Sequence, residues 1–202
     1  MKVRAVQAGA VVVLLMTMAL GGCSSSDVAT VSSVPPSPSP TPSSVVWAGD
    51  VCVAFTDVKK AVGAIGRNLS YDVTADKTAL EQIDRQLRLQ ALSLADSTDR
   101  LLSTLREVPV DFVAANDMVT TLTKSGSDTK EAVGQVTVHL DAAVSADNVF
   151  TGAAEATQAV AAGKAAFEAG KAFVGGITDA TSTASGELKQ AFDAAPACQE
   201  PS

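Results

Sequence analysis

The sequence predicts an all-α protein, an antiparallel bundle of four to five helices, and three observations carry that prediction. Leucine recurs every seven residues at Leu80, Leu87, Leu94 and Leu101 and is continued by Val108; a stripe of that kind requires partner helices to cover it. The chain holds one Trp, one Tyr and six Phe while Ala and Val abound, so its core is aliphatic and fine-grained, as close-packed helices need. Three segments of about 33 residues keep a helical apolar period, and each would rise about 50 Å, which makes them compatible neighbours in one bundle.

The elements begin with a leader. Lys2 and Arg4 precede an apolar run from Ala8 to Leu20, followed by Gly21, Gly22 and Cys23, the basic, apolar, small order of a secretory signal. The alternative, a transmembrane helix, asks for roughly 20 apolar residues, more than this run supplies. Leu20-Gly21-Gly22-Cys23 resembles the lipobox of bacterial lipoproteins, which implies cleavage after residue 22, diacylation of Cys23 and a mature chain held on the outer face of the cytoplasmic membrane. Two acyl chains anchor stably where one binds reversibly. Removing Lys2 and Arg4 takes the formal charge from -7 to -9. A chain so acidic is a poor nucleic-acid binder and is repelled by anionic headgroups, leaving the covalent lipid as its membrane contact.

Residues 23–46 form the lipidated Cys23 and a tether rich in Ser and Pro, with prolines at 35, 36, 38, 40 and 42 and no periodic apolar face. Such a stretch cannot order itself by burial. Polyproline II spacing lets it span up to about 70 Å. It reads as plain solvated linker, with O-glycosylation of the clustered Ser and Thr as the alternative. Residues 47–202 then make one helical domain.

Once Cys23 carries lipid, Cys52 and Cys198 remain as an even pair in an oxidising compartment. They bracket the domain and are expected to form an intramolecular disulfide; the alternative is two separate buried thiols. Closing so long a loop stabilises by roughly 4 to 5 kcal/mol in the chain-entropy model.

The first helix is expected from Trp47 to about Asn68, with Val51, Phe55, Val58, Val62 and Ile65 at three- and four-residue steps. Gly63 and Gly66 weaken its end. Asp72 to Asp76 supply turn and capping residues, and Thr78-Ala79-Leu80-Glu81 fits a capping box opening the second helix. Ile83, Ala91 and Leu105 reinforce its leucine stripe, and Pro109 ends or kinks it. A third helix from Asp111 to about Ser145 would bury Val113, Met118, Leu122, Thr129, Val133, Val136, Leu140 and Val144. Lys124-Ser125-Gly126-Ser127-Asp128 leaves a mid-helix kink or break open, because Gly, Ser and Asp favour other conformations. Asp147 or Asn148 caps a fourth helix running toward Asp179, with Phe150, Thr157, Val160, Phe167, Val174 and Ile177 as its stripe. Ala156, Gly163 and Gly170 form a narrow seam beside it. Thr178 to Ser185 reads as a turn-rich gap, and Gly186 to Ala194 as a last short helix with Leu188 and Phe192 inward. The first and last helices are expected to share one position in the bundle, joined by the disulfide.

Chemistry-bearing motifs are few. His139 is the one histidine, set between Val138 and Leu140 within a helical pattern, and reads as a structural or surface imidazole. It has no Glu-x-x-His partner motif for a dimetal bundle and no free cysteine set for zinc. No Gly-x-Ser-x-Gly elbow is present, and Gly63-Ala64-Ile65-Gly66 lacks the Gly-Lys-Ser/Thr of a phosphate loop. Asp84, Asp96, Asp99, Glu107 and Asp111 are scattered over helix surfaces. No catalytic, cofactor-binding or metal-ligating residue is assigned.

The lipobox, the Ser/Pro tether, Trp47-Ala48-x-x-Val51-Cys52 and Glu187-Leu188-x-x-Ala191-Phe192 before Cys198 together resemble a group of uncharacterised actinobacterial exported helical proteins and lipoproteins. The resemblance implies a disulfide-closed helical fold in the cell envelope and transfers no activity. The functional expectation is a non-enzymatic interaction or binding module meeting an unknown envelope protein. The alternative is a carrier or sensor holding an apolar small molecule between helices, where the Ala/Gly seam meets Phe150, Phe167 and Phe173. A cavity inside the bundle would favour the carrier, a filled core with an exposed apolar patch the interaction module.

Overall fold

The computed structural model describes residues 39–67, 73 and 76–199. The expected leader, Cys23 and most of the expected tether lie outside the described residues. Five helices appear: α1 (Pro42–Arg67), α2 (Lys77–Arg106), α3 (Asn116–Val144), α4 (Val149–Ser182) and α5 (Gly186–Ala194), with single 3-10 turns at Val113–Ala115 and Pro196–Cys198. Among the described residues there is no strand.

Ion pairs and close contacts fix the directions. Asp57 of α1 meets Arg100 of α2, Asp99 and Arg88 of α2 meet Lys130 and Asp141 of α3, and His139 of α3 meets Glu155 of α4. Sequence numbers rise on one helix as they fall on the next, so the long helices alternate up and down. The contact of α1 with α4, through Val62 against Gly170 and Gly66 against Phe167, closes the bundle. The short α5 and the chain end pack on α1, which is the pairing of first and last helices expected from the sequence.

The leucine stripe of α2 lies in the core: Leu87, Leu94, Leu101 and Leu105 are 1% exposed or less, while Leu80 and Val108 at its ends are half-buried. Its N-cap is not Thr78. Asp76 takes that position, its Oδ1 accepting a hydrogen bond from the Ala79 amide at 2.9 Å. A carboxylate one residue ahead of the first turn caps as well as the hydroxyl and adds a favourable charge at the helix N-terminus.

Helix α1 starts at Pro42, five residues before Trp47, so the last stretch of the expected tether is helical. Proline suits the first helical position because its missing N–H would have no partner there. The Thr41 hydroxyl accepts from the Ser44 amide at 3.3 Å, and buried Ser44 donates its hydroxyl to the Thr41 carbonyl at 2.8 Å.

Helix α3 passes through residues 124–128 without a break. Gly126 is buried because α2 and α4 close on its bare backbone: a methyl group there would lie 2.7 Å from Leu102 Cδ2 and 3.1 Å from Phe173 Cζ. The contact outweighs a propensity penalty of about 1 kcal/mol. Val113 and Val144, expected inward, are 68% and 66% exposed. Val113 stands in the 3-10 turn ahead of α3, where Phe112 takes the inward place at 1% exposure.

Helix α4 departs most from expectation. Its buried face is Gly152, Ala156, Ala159, Gly163, Ala166, Gly170, Phe173 and Ile177, with Val160 beside it. These positions step by four and three, and the small residues are the core face itself. Phe150 is 80% exposed, Thr157 is exposed, and Phe167 and Val174 are half-buried. Missing side-chain bulk lets neighbouring helices approach, so the expected seam of Ala156, Gly163 and Gly170 belongs to the core face with Val160 and Ile177 of the expected stripe, while the other stripe residues fall on its flank. The expected gap at 178–185 is also helical as far as Ser182. Asn148 supplies the N-cap of α4, accepting from the Thr151 amide at 2.9 Å.

Candidate functional site

Two surface features stand out once the core is accounted for. The first is the tip where α3 turns into α4. Val144, Val149 and Phe150 are 66%, 39% and 80% exposed there, beside a pocket of about 310 Å3 floored by Leu80, Leu140, Gly152 and Ala156. Lys77, Glu81, Asp84 and Asp147 stand on its rim. Gly152, in the first turn of α4, lets that helix approach α3 closely beside the pocket: a methyl group there would lie 3.0 Å from the Ala143 carbonyl oxygen and 3.5 Å from Leu80 Cδ1. Below the rim, Arg88 bonds Asp84 at 2.7 Å and Asp141 at 2.9 Å. The hydrogen bond to Asp84 is the main reason that its guanidinium is held above the ordinary arginine pKa, with Asp141 adding to it against the opposing effect of burial. This pair ties α2 to α3 under the tip.

The second is a cleft of about 610 Å3 between α1, the last turns of α4 and the chain end. Val51, Ile177 and Phe192 form its buried floor, Phe55 and Lys59 one wall, and Thr178, Thr181, Ser182 and Gln199 the other. The Cys52–Cys198 disulfide stands in its lining, joining residues 146 apart in sequence with their Cα atoms 5.2 Å apart. The bridge fixes the chain end on α1 and so holds one wall in place.

The sequence-predicted residues fall as follows. Cys52 and Cys198 are bonded. His139 is half-buried, its Nδ1 3.0 Å from Glu155 Oε2, a pairing across α3 and α4. Phe150, Phe167 and Phe173 are not brought together: Phe173 is in the core, Phe167 covers the backbone at Gly66 and Phe150 is in solvent. Among the described residues no three His, Cys, Asp or Glu side chains cluster as a metal-binding group, and no helix is long and apolar enough to cross a membrane. The hydroxyl wall of the cleft was missed by sequence reasoning. Its signal was the run Thr178 to Thr183, which reads as loop composition unless one allows each hydroxyl to bond back to the preceding turn.

Fold and surface together define a disulfide-closed antiparallel helical bundle with an apolar tip and a polar-walled cleft. Set against protein families, curated proteins and solved structures, this chain matches none of them.

Proposed function

We propose that this protein is a non-enzymatic interaction module of the cell envelope, lipid-anchored through Cys23 to the outer face of the cytoplasmic membrane, and that it meets its partner through the α3–α4 tip. The observation that supports this reading most is a phenylalanine, Phe150, 80% exposed and next in sequence to Val149, which lines a pocket floored by Leu80, Leu140 and Ala156. Exposed apolar groups clustered in this way mark interaction sites. The occupied seam adds to it: Val62, Leu94, Leu102 and Phe173 fill the space over Gly170 and Gly126. The acidic chain and its expected lipid anchor suit a partner in the envelope rather than a nucleic acid.

A photo-crosslinking phenylalanine analogue at position 150 in the lipidated protein, irradiated in intact cells, tests this. A discrete adduct formed from position 150 and absent from Val138, an exposed position on α3, supports the reading. Equal labelling from both positions, or none, overturns it. The anchor is tested separately: Cys23→Ala should abolish acyl labelling, and a variant that keeps its lipid would remove the proposed location.

A further inference from the structure

The cleft beside the Cys52–Cys198 bridge has walls made mostly of hydrogen-bond acceptors, with Lys59 and Asp193 as its charged residues. Every hydroxyl on them donates into its own helix: Thr56 to the Cys52 carbonyl at 3.0 Å, Thr178 to Val174 at 3.0 Å, Thr181 to Ile177 at 3.0 Å and Ser182 to Asp179 at 3.1 Å. The side-chain amide of Gln199 donates to the Asp193 carbonyl. What remains toward the cleft is acceptor capacity, the lone pairs of four hydroxyl oxygens, the Gln199 Oε1 and the Asp193 carboxylate, whose Oδ2 pairs with Lys189 at 2.6 Å. The cation among the described lining residues is Lys59, whose Nζ lies 5.7 Å from the Phe55 ring centroid.

This combination narrows the ligand. An apolar molecule would strip water from the acceptors and give nothing back. An anion would meet oxygen lone pairs and the Asp193 carboxylate along most of the wall, and an amine would meet Lys59 and a carboxylate already paired with Lys189. An extended peptide alternates donors and acceptors along its backbone, so half of its polar groups would face the wrong partner. A polyol rotates each hydroxyl to donate toward the wall. A pyranose also carries a flat C–H face that suits Phe55 and the Val51 and Ile177 floor. The volume falls within the roughly 300 to 1,000 Å3 of small-ligand sites.

We propose that this cleft is a saccharide-binding site, in which ring hydroxyls donate to the oxygens of Thr56, Thr178, Thr181 and Gln199 while the C–H face of a sugar rests on Phe55 and the aliphatic floor. The inference does not depend on the tip reading, since it uses the opposite end of α4. The disulfide then has a role beyond stability, because it fixes the wall that carries Gln199.

The test is calorimetric titration of the full lipidated chain, in a zwitterionic detergent without sugar headgroups, with maltotriose, cellotriose, chitotriose and capped trialanine. Saturable binding of at least one trisaccharide, and none of trialanine, is expected. Thr181→Val keeps the side-chain shape and removes the acceptor, so it should weaken that binding roughly three- to tenfold, the worth of one hydrogen bond. Thr157→Val, which loses an equivalent back-bond to the Ala153 carbonyl on the exposed face of α4, should leave it unchanged. Gln199→Met repeats the test at the chain end, where helix integrity is not at stake. Failure of all three sugars, preference for the peptide, or equal effects of Thr181→Val and Thr157→Val would overturn the proposal. A failed tip reading would appear instead as absent crosslinking from position 150 with these titrations intact.

Discussion

Where α1 runs beside α4, Gly66 and Gly170 bring Phe167 and Val62 onto opposing backbones. Near the start of α1 Trp47 packs edge-on to Phe112 at 5.6 Å and against Phe192 at 6.1 Å, its indole N–H donating to the Thr104 carbonyl at 2.9 Å. Past Gly66 α1 stops at Arg67, and toward the tip α4 meets α2 and α3 through Gly152, Ala156 and Ala159, with Phe150 exposed to water. One helix, α4, therefore serves two constructions. Its C-terminal half packs against α1 and α3 through Phe167, Phe173 and the close approach at Gly170, on the side where the disulfide ties the chain end to α1, while its N-terminal half relies on small residues alone. Bulk and covalent closure are concentrated at one end, which leaves the tip free to expose apolar groups at little cost to the fold.

Truncating a phenylalanine at the locked end tests this contrast most severely. Phe173 is fully buried between Gly126 and its neighbours, and Phe173→Ala should cost roughly 3 to 5 kcal/mol in denaturant unfolding through lost burial and the cavity left behind. A loss below about 1 kcal/mol would show that the core collapses freely around that site and that the locked end is not packed as described.

Reduction of the disulfide comes next. Cys52→Ser or a thiol reductant should lower stability by roughly 2 to 5 kcal/mol while α2, α3 and α4 keep their helicity. Native-state hydrogen exchange sharpens the comparison, because protection should fall first in α1 and α5, the elements the bridge joins, and only slightly in the middle of α3. Uniform loss of protection would mean that the two ends unfold as one unit.

The glycines of α3 separate its two neighbourhoods further. Gly126→Ala puts a methyl group into Leu102 and Phe173 and should destabilise by about 1 to 3 kcal/mol, the usual cost of overpacking. Gly134, eight residues on, has open space around it and is exposed in a helix interior, so Gly134→Ala should stabilise by about 0.5 to 1 kcal/mol through helix propensity. Thermal melts of both variants check opposite signs on one helix.

These contrasts also explain what the sequence disclosed. A period of seven in Leu80, Leu87, Leu94 and Leu101 announces itself because large apolar residues have no other reason to recur, and the two cysteines and the short α5 were legible for similar reasons. The face of α4 was legible in part: Ala156, Gly163 and Gly170 read as a seam and are buried, but hydropathy weighs side chains and drew Phe150, Thr157, Phe167 and Val174 into a stripe that this helix does not fully bury. Continuity through Gly126 was hidden because its reason lies on α2 and α4. The hydroxyl wall of the cleft was illegible in the same way: Thr and Ser signal loops locally, and only burial of the floor beneath them makes the run helical.

The smallest effect on stability should come from Phe150, and it decides whether the tip is functional surface or incidental. Phe150→Ser should change unfolding free energy by no more than about 0.5 kcal/mol, because an 80% exposed ring has little burial to lose. It should nonetheless abolish tip-dependent crosslinking from a probe placed at Val149, since interface energy gathers in a few aromatic anchors. The two readouts must diverge. A stability loss approaching that of Phe173→Ala would show that Phe150 is covered in solution, which removes the contrast between the two ends of α4. An unchanged melt with unchanged crosslinking would mean that the partner engages another face. Only unchanged stability with lost contact fits a helix whose one end holds the fold and whose other end presents an anchor to a partner.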